Sequence, residues 1–142
     1  MEIILKTSKR QEMIDITSKV QDIVTNSKIK NGMVYVFSQH TTASLMINEK
    51  EERLLEDIKE FLESFAPITK KYKHDDIEKR NCSPDEPLNG HSHLRSLLFK
   101  TSETIPVKNG KLNLGQWQSI LFIELDGPRS NRKITVSIIN SE

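Results

Sequence analysis

The period of the apolar positions changes several times along the chain, and each change marks an element. Glu2 to Lys6 and Glu12 to Ile16 read as short strands joined by the polar turn Ser8-Lys9-Arg10. From Thr17, the apolar residues Val20, Ile23 and Val24 fall at helical spacing, with Thr17 or Ser18 placed to cap the helix. Asn31-Gly32 breaks that pattern. Met33-Val34-Tyr35-Val36-Phe37 is β-branched and aromatic, which predicts a buried strand delivering Ser38-Gln39-His40-Thr41-Thr42 at its end. Ser44 to Asn48 alternates around Leu45 and Ile47, with Met46 blurring the pattern, and is a further strand.

Glu49 to Phe65 carries the clearest helical period. Leu54, Leu55, Ile58, Phe61, Leu62 and Phe65 form one apolar face, acidic residues crowd the first turns, and Pro67 closes the element. Lys70 to Gly90 is polar and irregular, broken by Pro84 and Pro87, and a connection of that length in a small domain is usually functional or disordered. It carries His74, Asp75 and Asp76 and leads into His91-Ser92-His93, which favours function. A short helix is expected over His93 to Phe99, with Leu94, Leu97 and Leu98 apolar. Thr104 to Val107 and Leu112 to Leu114 flank Asn109-Gly110, the strongest short hairpin signal. Gln118 to Leu125, a turn over Asp126 to Arg129, and Lys133 to Ile139 complete the pattern. Strands with two to three helices make this an α+β chain, a single domain over residues 1–142 with a mainly antiparallel sheet or sandwich.

Composition narrows the partners more than the fold. A chain of 142 residues with 35% hydrophobic and 29% charged residues is an ordinary globular domain with enough apolar material for a core. A net charge of +1 gives no field that would draw nucleic acid. No apolar run approaches the ~18 residues that span a bilayer. The start Met1-Glu2-Ile3-Ile4-Leu5-Lys6 lacks signal-peptide character, and the lone Cys82 cannot form an internal disulfide, so a reducing cytoplasm is expected. Cys82 has no neighbouring histidine or capping helix to activate it as a nucleophile.

Candidate chemistry centres on the 4 histidines, His40, His74, His91 and His93. Neutral imidazole is the commonest transition-metal ligand, and three with one open position suit a catalytic zinc. Ligands scattered like this converge only through the fold, and the same spacing also fits surface or hydrogen-bonded histidines. Asp75, Asp76, Glu49, Thr41, Thr42 and Ser92 are placed to orient the rings. At a helix start, positions two apart diverge by roughly 200°, so His91 and His93 reduce to one ligand and one bystander. His93, nearer the ordered helix, is the choice. The turn Asp126 to Lys133 brings three cations and free N–H groups that suit a phosphate, although a solvated hairpin turn reads the same way.

Together these motifs resemble those of the YjbQ-like family, small proteins with secondary thiamine-phosphate synthase activity. The resemblance rests on Gln39-His40-Thr41-Thr42-Ala43-Ser44-Leu45-Met46-Ile47-Asn48-Glu49, Tyr72-Lys73-His74, Asn89-Gly90-His91-Ser92-His93-Leu94, Leu114-Gly115-Gln116-Trp117-Gln118 and Glu124-Leu125-Asp126-Gly127-Pro128-Arg129, in order along the chain. It departs at Gln116, where the family commonly has threonine.

The resemblance implies a homotrimeric α+β domain in which His40, His74 and His93 hold a divalent metal in a pocket completed at the subunit interface. Zinc suits three imidazoles, whereas magnesium is the usual companion of a diphosphate. It further implies that Arg129 faces the pocket, with Thr41, Thr42 and Asn89 as further contacts to a small phosphorylated substrate. The implied reaction joins a pyrimidine methyl diphosphate to a thiazole phosphate. The alternatives are metal-assisted hydrolysis of a phosphorylated metabolite, with Glu49 as base, and a non-enzymatic trimer that binds a metal or an anion.

Overall fold

Two antiparallel sheets carry the chain, as the hydrophobic periods require. The computed structural model describes residues 1–141. In chain order the elements are β1 (Glu2–Leu5), β2 (Glu12–Asp15), α1 (Thr17–Ser27), β3 (Gly32–Ser38), β4 (Ala43–Asn48), α2 (Glu52–Phe65), α3 (Gly90–Ser96), β5 (Ser102–Lys108), β6 (Lys111–Leu112), β7 (Ser119–Glu124) and β8 (Arg132–Asn140). Five strands form one sheet in the order β1-β8-β3-β5-β6, and three form the other in the order β2-β7-β4. The expected α+β class with three helices is the one observed.

The three-stranded sheet is buried on both faces. Along β7, Ile120 and Phe122 join the core shared with β3, β5, β8 and α1, while Leu121 and Ile123 turn the other way onto Leu62 of α2. That two-sided burial is why Ile120 to Ile123 reads as an unbroken apolar run. The large sheet buries only its inner face: Val34 and Val36 point inward while Met33 and Tyr35, alternate on the strand, remain exposed.

Several boundaries moved, each for a local reason. The second helix begins at Glu52 rather than Glu49, because Glu51 takes the cap position and its carboxylate accepts the N–H groups of Arg53 (3.0 Å) and Leu54 (2.8 Å). The third helix starts three residues earlier than its apolar pattern, at Gly90, where the N–H finds a carboxylate on Asp75. Lys70 to Gly90 is not structureless: single 3-10 turns form over Lys73–Asp75 and Ile77–Lys79. The Asn109-Gly110 hairpin forms as expected, with φ of 52° and 76° and Lys108 paired with Lys111, although β6 is shorter than the expected strand.

Candidate functional site

The loop after β3 is tied down before it presents its histidine. Ser38 donates its N–H to Thr101 O (2.7 Å) and its hydroxyl to Ala43 O (3.1 Å), pinching Gln39 to Thr42 into a short excursion. Gln39 reaches Thr135 at 2.8 Å, and His40 Nε2 accepts the backbone N–H of Lys133 at 2.8 Å. Burial, and then the nearby Arg132 charge, holds His40 below the ordinary imidazole value. Thr41 is exposed, and its carbonyl accepts the Ser96 hydroxyl at 3.0 Å, binding this loop to α3. Thr42 is turned inward, where its hydroxyl accepts a guanidinium N–H of Arg132 at 3.2 Å. Thr42 therefore braces the loop, and Thr41 faces the cavity beside His40.

His74 and His93 arrive from different elements and meet. His74 lies in the 3-10 turn and His93 on α3, and Asp75 links the two by accepting the Gly90 N–H at 2.8 Å. The imidazole centroids are 4.5 Å apart at an interplanar angle of 66°, an edge-to-face pair. Burial first, and then His74, lower the His93 pKa, so its ring is neutral at physiological pH. His91, two positions away, is 1% exposed and faces the core. The Ser92 hydroxyl donates to Leu125 O at 2.5 Å, so its lone pair is free to accept from His91 Nε2 at 3.2 Å, and that nitrogen carries the proton. The divergence expected of a helix start separates the two rings as the sequence implied.

Beneath both arms lies a buried polar network whose centre, Glu124, the sequence-based site did not include. Glu124, at the end of β7, is fully buried and accepts Arg132 Nε (2.8 Å), Arg132 Nη2 (2.6 Å), the Thr7 hydroxyl (2.9 Å) and the Asp126 N–H (2.9 Å). Burial would push its carboxyl up, but the Arg132 bonds together with the Asp126 and Thr7 donors outweigh it and hold the group below the usual carboxylate range. Asp126 in turn accepts Asn89 Nδ2 and Arg129 Nη2, each at 2.8 Å. A charged residue closing the otherwise apolar run Ile120 to Ile123 was the available signal, since a buried carboxylate requires a partner.

The remaining expected site residues are placed as follows. Arg129 is half-buried with its charge paired to Asp126, and its backbone N–H goes to Thr7. Asn89 is buried; its amide nitrogen meets Asp126, and its Oδ1 has no partner. Glu49 lies beyond the far end of β4, about 20 Å of extended strand from Thr42, and is not gathered with the histidines of its own chain. Among the described residues, no three His, Cys, Asp or Glu side chains come close enough together to share one ion.

What the fold does assemble is a trough. A cavity of about 780 Å³ is lined by His40, Thr41, Ser44, His93, Ser96 and Lys100, among others. A second, of about 490 Å³, is lined by Tyr72, Lys73, His74, Gly90, His93 and Leu94. His93 and Leu94 belong to both, so the histidine pair stands where the two cavities meet. Neutral imidazole, hydroxyls and ammonium groups along one trough can bind an anionic metabolite and a borderline-soft cation.

Comparison with known proteins places the chain and its fold in one family. The profile of the family described as UPF0047 protein YjbQ-like matches residues 1–141. A UPF0047 protein of Methanothermobacter thermautotrophicus is 48% identical over 137 residues, spanning 96% of this chain and 89% of that protein. One from Archaeoglobus fulgidus is 46% identical over 138 residues, spanning 97% and 100%. Among solved structures, a YbjQ-like protein of unknown function from Sulfolobus solfataricus superposes with a TM-score of 0.88 at 38% identity, over 99% of this chain and 96% of that one. An uncharacterised conserved protein of the same family from Clostridium acetobutylicum superposes with a TM-score of 0.85 at 41% identity, over 98% and 99%.

Proposed function

Because the chain belongs to the YjbQ-like family, we propose that it is a metal-dependent enzyme of small phosphorylated metabolites that supports thiamine-phosphate synthesis. The observation that carries this reading is the His74–His93 pair, 4.5 Å apart at the junction of two cavities. Two adjoining imidazoles, one held neutral by burial, are a donor set suited to zinc. His74 and His93 would hold the ion, and His40 would join them on exchanging its bond to the Lys133 N–H. When bound, the cation supplies charge neutralisation to a departing diphosphate.

The proposed reaction asks the protein for orientation and charge rather than for proton transfer. The bond between the pyrimidine methylene carbon and the diphosphate oxygen breaks, and its electron pair leaves with pyrophosphate. The thiazole nitrogen's lone pair forms the new C–N bond, and no proton changes place. That chemistry needs no base, whereas the base expected for hydrolysis, Glu49, lies at the other end of β4 from the trough. Thr41, Ser96 and Lys100 would orient the diphosphate-bearing partner. Arg129, paired with Asp126 and partly exposed, is not in the lining of either cavity, and its charge would act on the substrate from a distance.

The proposal extends to a homotrimer in which a neighbouring subunit closes the trough. The uncovered side chains of Leu94, Leu97 and Leu98 beside it support that reading. No helix among the described residues is long and apolar enough to cross a membrane.

The test is zinc content together with pyrophosphate release from the two half-substrates. Wild type should carry near-stoichiometric zinc and release pyrophosphate, and His74→Ala and His93→Ala should lose both while remaining folded. Zinc unchanged in both variants would remove the metal site, and metal-loaded protein that releases no pyrophosphate would remove the synthase activity.

A further inference from the structure

Next to the histidine pair, a third cavity of about 560 Å³ continues the trough. It shares Tyr72 and Lys73 with the cavity that holds His74 and His93, so those two residues form the wall over which anything occupying both must pass. Its other cationic lining is Lys70 and Lys71, and Ile68 and Leu88 add apolar surface, 41% and 59% exposed.

Three features set this groove apart from an ordinary patch of surface lysines. Its two carboxylates are already engaged, Asp75 by the Gly90 N–H at 2.8 Å and Asp76 by Lys79 at 3.0 Å. The ammonium groups of Lys70, Lys71 and Lys73 make no ion pair among the described residues, so the free charge of the groove is positive. The aromatic wall is rigid: the Tyr72 hydroxyl donates to Pro67 O at 2.7 Å, and the ring sits so close to the start of α3 that a Cβ on Gly90 would lie 2.6 Å from Tyr72 Cβ. Lys70 Nζ already stands 5.8 Å from the centroid of that ring.

We infer that this groove is the subsite for the terminal phosphate of the substrate that reacts through its ring nitrogen, whose reacting end lies at the histidine pair and whose flat ring crosses Tyr72. The inference rests on reading the trough as a phosphorylated-metabolite site. Three unpaired ammonium groups meet a polyanion as point charges without bidentate geometry, which suits a terminal group free to rotate. The apolar surface of Ile68 and Leu88 accommodates the uncharged part next to it. A second groove, lined by Lys28, Lys30 and Lys111, has the same number of lysines and no carboxylate. It lacks an aromatic wall and a histidine, and its Gln21 is committed to Gly110 O and the Leu112 N–H. It is therefore an internal control for non-specific attraction.

The experiment titrates inorganic phosphate into the metal-loaded protein, following affinity by calorimetry and location by backbone amide NMR shifts. Shifts should fall on Lys70 to Lys73 and Leu88. Affinity should drop about tenfold or more, roughly 1.4 kcal/mol, in Lys70→Ala/Lys71→Ala/Lys73→Ala. Lys28→Ala/Lys30→Ala/Lys111→Ala should bind as wild type, and Lys70→Arg/Lys71→Arg/Lys73→Arg should retain binding. Equal losses in the two alanine triples, shifts confined to Lys100 to Ser102, or no binding would each overturn the subsite. Zinc content is read in parallel and should be unchanged in every lysine variant, so failure of the subsite is distinguishable from failure of the metal site.

Discussion

Replacing Arg132 with methionine keeps most of the side-chain bulk and removes the charge that Glu124 depends on. The wild-type pair is bidentate, with bonds of 2.8 and 2.6 Å, and neither partner's side chain is more than 7% exposed. Solvent therefore cannot replace the guanidinium, and the carboxylate left behind keeps only the Asp126 N–H and the Thr7 hydroxyl. Breaking a buried pair in this way costs about 3–5 kcal/mol, a large part of the 5–15 kcal/mol or so that holds a domain together. With a urea m-value of about 1.5–2 kcal/mol/M, the midpoint followed by circular dichroism should fall by roughly 1.5–3 M.

The pH dependence should change sign as well. In wild type the Glu124 pKa is depressed, so its contribution is present above the unfolded-state value and lost as pH falls through the folded one. In Arg132→Met burial dominates and raises the pKa, the folded state binds the extra proton, and stability should rise as pH is lowered from 7 toward 5. Glu124→Gln/Arg132→Met, which leaves no buried charge, should recover part of the loss. A midpoint shift worth less than about 1 kcal/mol with an unaltered pH slope would refute the reasoning, because that is how a solvent-screened surface pair behaves.

Three further substitutions probe the supports of the site. In Gly127→Ala the new Cβ would lie 2.1 Å from Lys9 O and 2.9 Å from Glu124 Cγ. A loss of about 1–3 kcal/mol is expected from such overpacking, read as a lowered thermal midpoint with amide shifts at Lys9 to Gln11. Leu62→Ala should cost about 2–5 kcal/mol by emptying the contact between α2 and β7, and a urea midpoint near wild type would show that α2 is not docked there. Arg95→Met removes bonds to Ala66 O (3.0 and 2.9 Å) and Gln11 Oε1 (2.8 Å) and the ion pair with Glu63. It should destabilise by about 2 kcal/mol. Burial would raise the Glu63 carboxyl, but the Arg95 bond holds it low in wild type, so its NMR titration should move upward in the variant.

The elements were legible because most are bounded by periodicity and punctuation, and eight strands and three helices lie close to where the apolar patterns fall. Boundaries slipped where a side chain outside the pattern met a helix start: Glu51 shortened one helix, and with Asp75 at its first N–H another begins and ends three residues earlier than expected. Of the site, the His74–His93 meeting and the outward choice of His93 over His91 followed from motif and helix geometry. The roles of Thr42, Asn89 and Arg129 did not: the first two are decided by partners far away in sequence, and Arg129 by a carboxylate three residues back in its own turn. Thr42 is held by Arg132, and Asn89 and Arg129 by Asp126. Glu124, which holds Arg132 and the Asp126 N–H, stood in one of the motifs, but its partners across the fold were not readable there.

The order of the strands has a consequence for how the molecule comes to exist as it is synthesised. The two strands latest in sequence are interior ones: β7 lies between β2 and β4, and β8 between β1 and β3. Until both have emerged, β1, β2 and β4 have no strand partner within their sheets, and only the β3–β5–β6 pairing can form ahead of them. Glu124 and Arg132, on which both arms of the trough rest, belong to these same late strands. A growing chain therefore carries its histidines before the strands that brace their loops have emerged. Closing such distant pairings places the protein among slow, topology-limited folders, with the apolar edges of β2 and β4 open to chaperones in the interval.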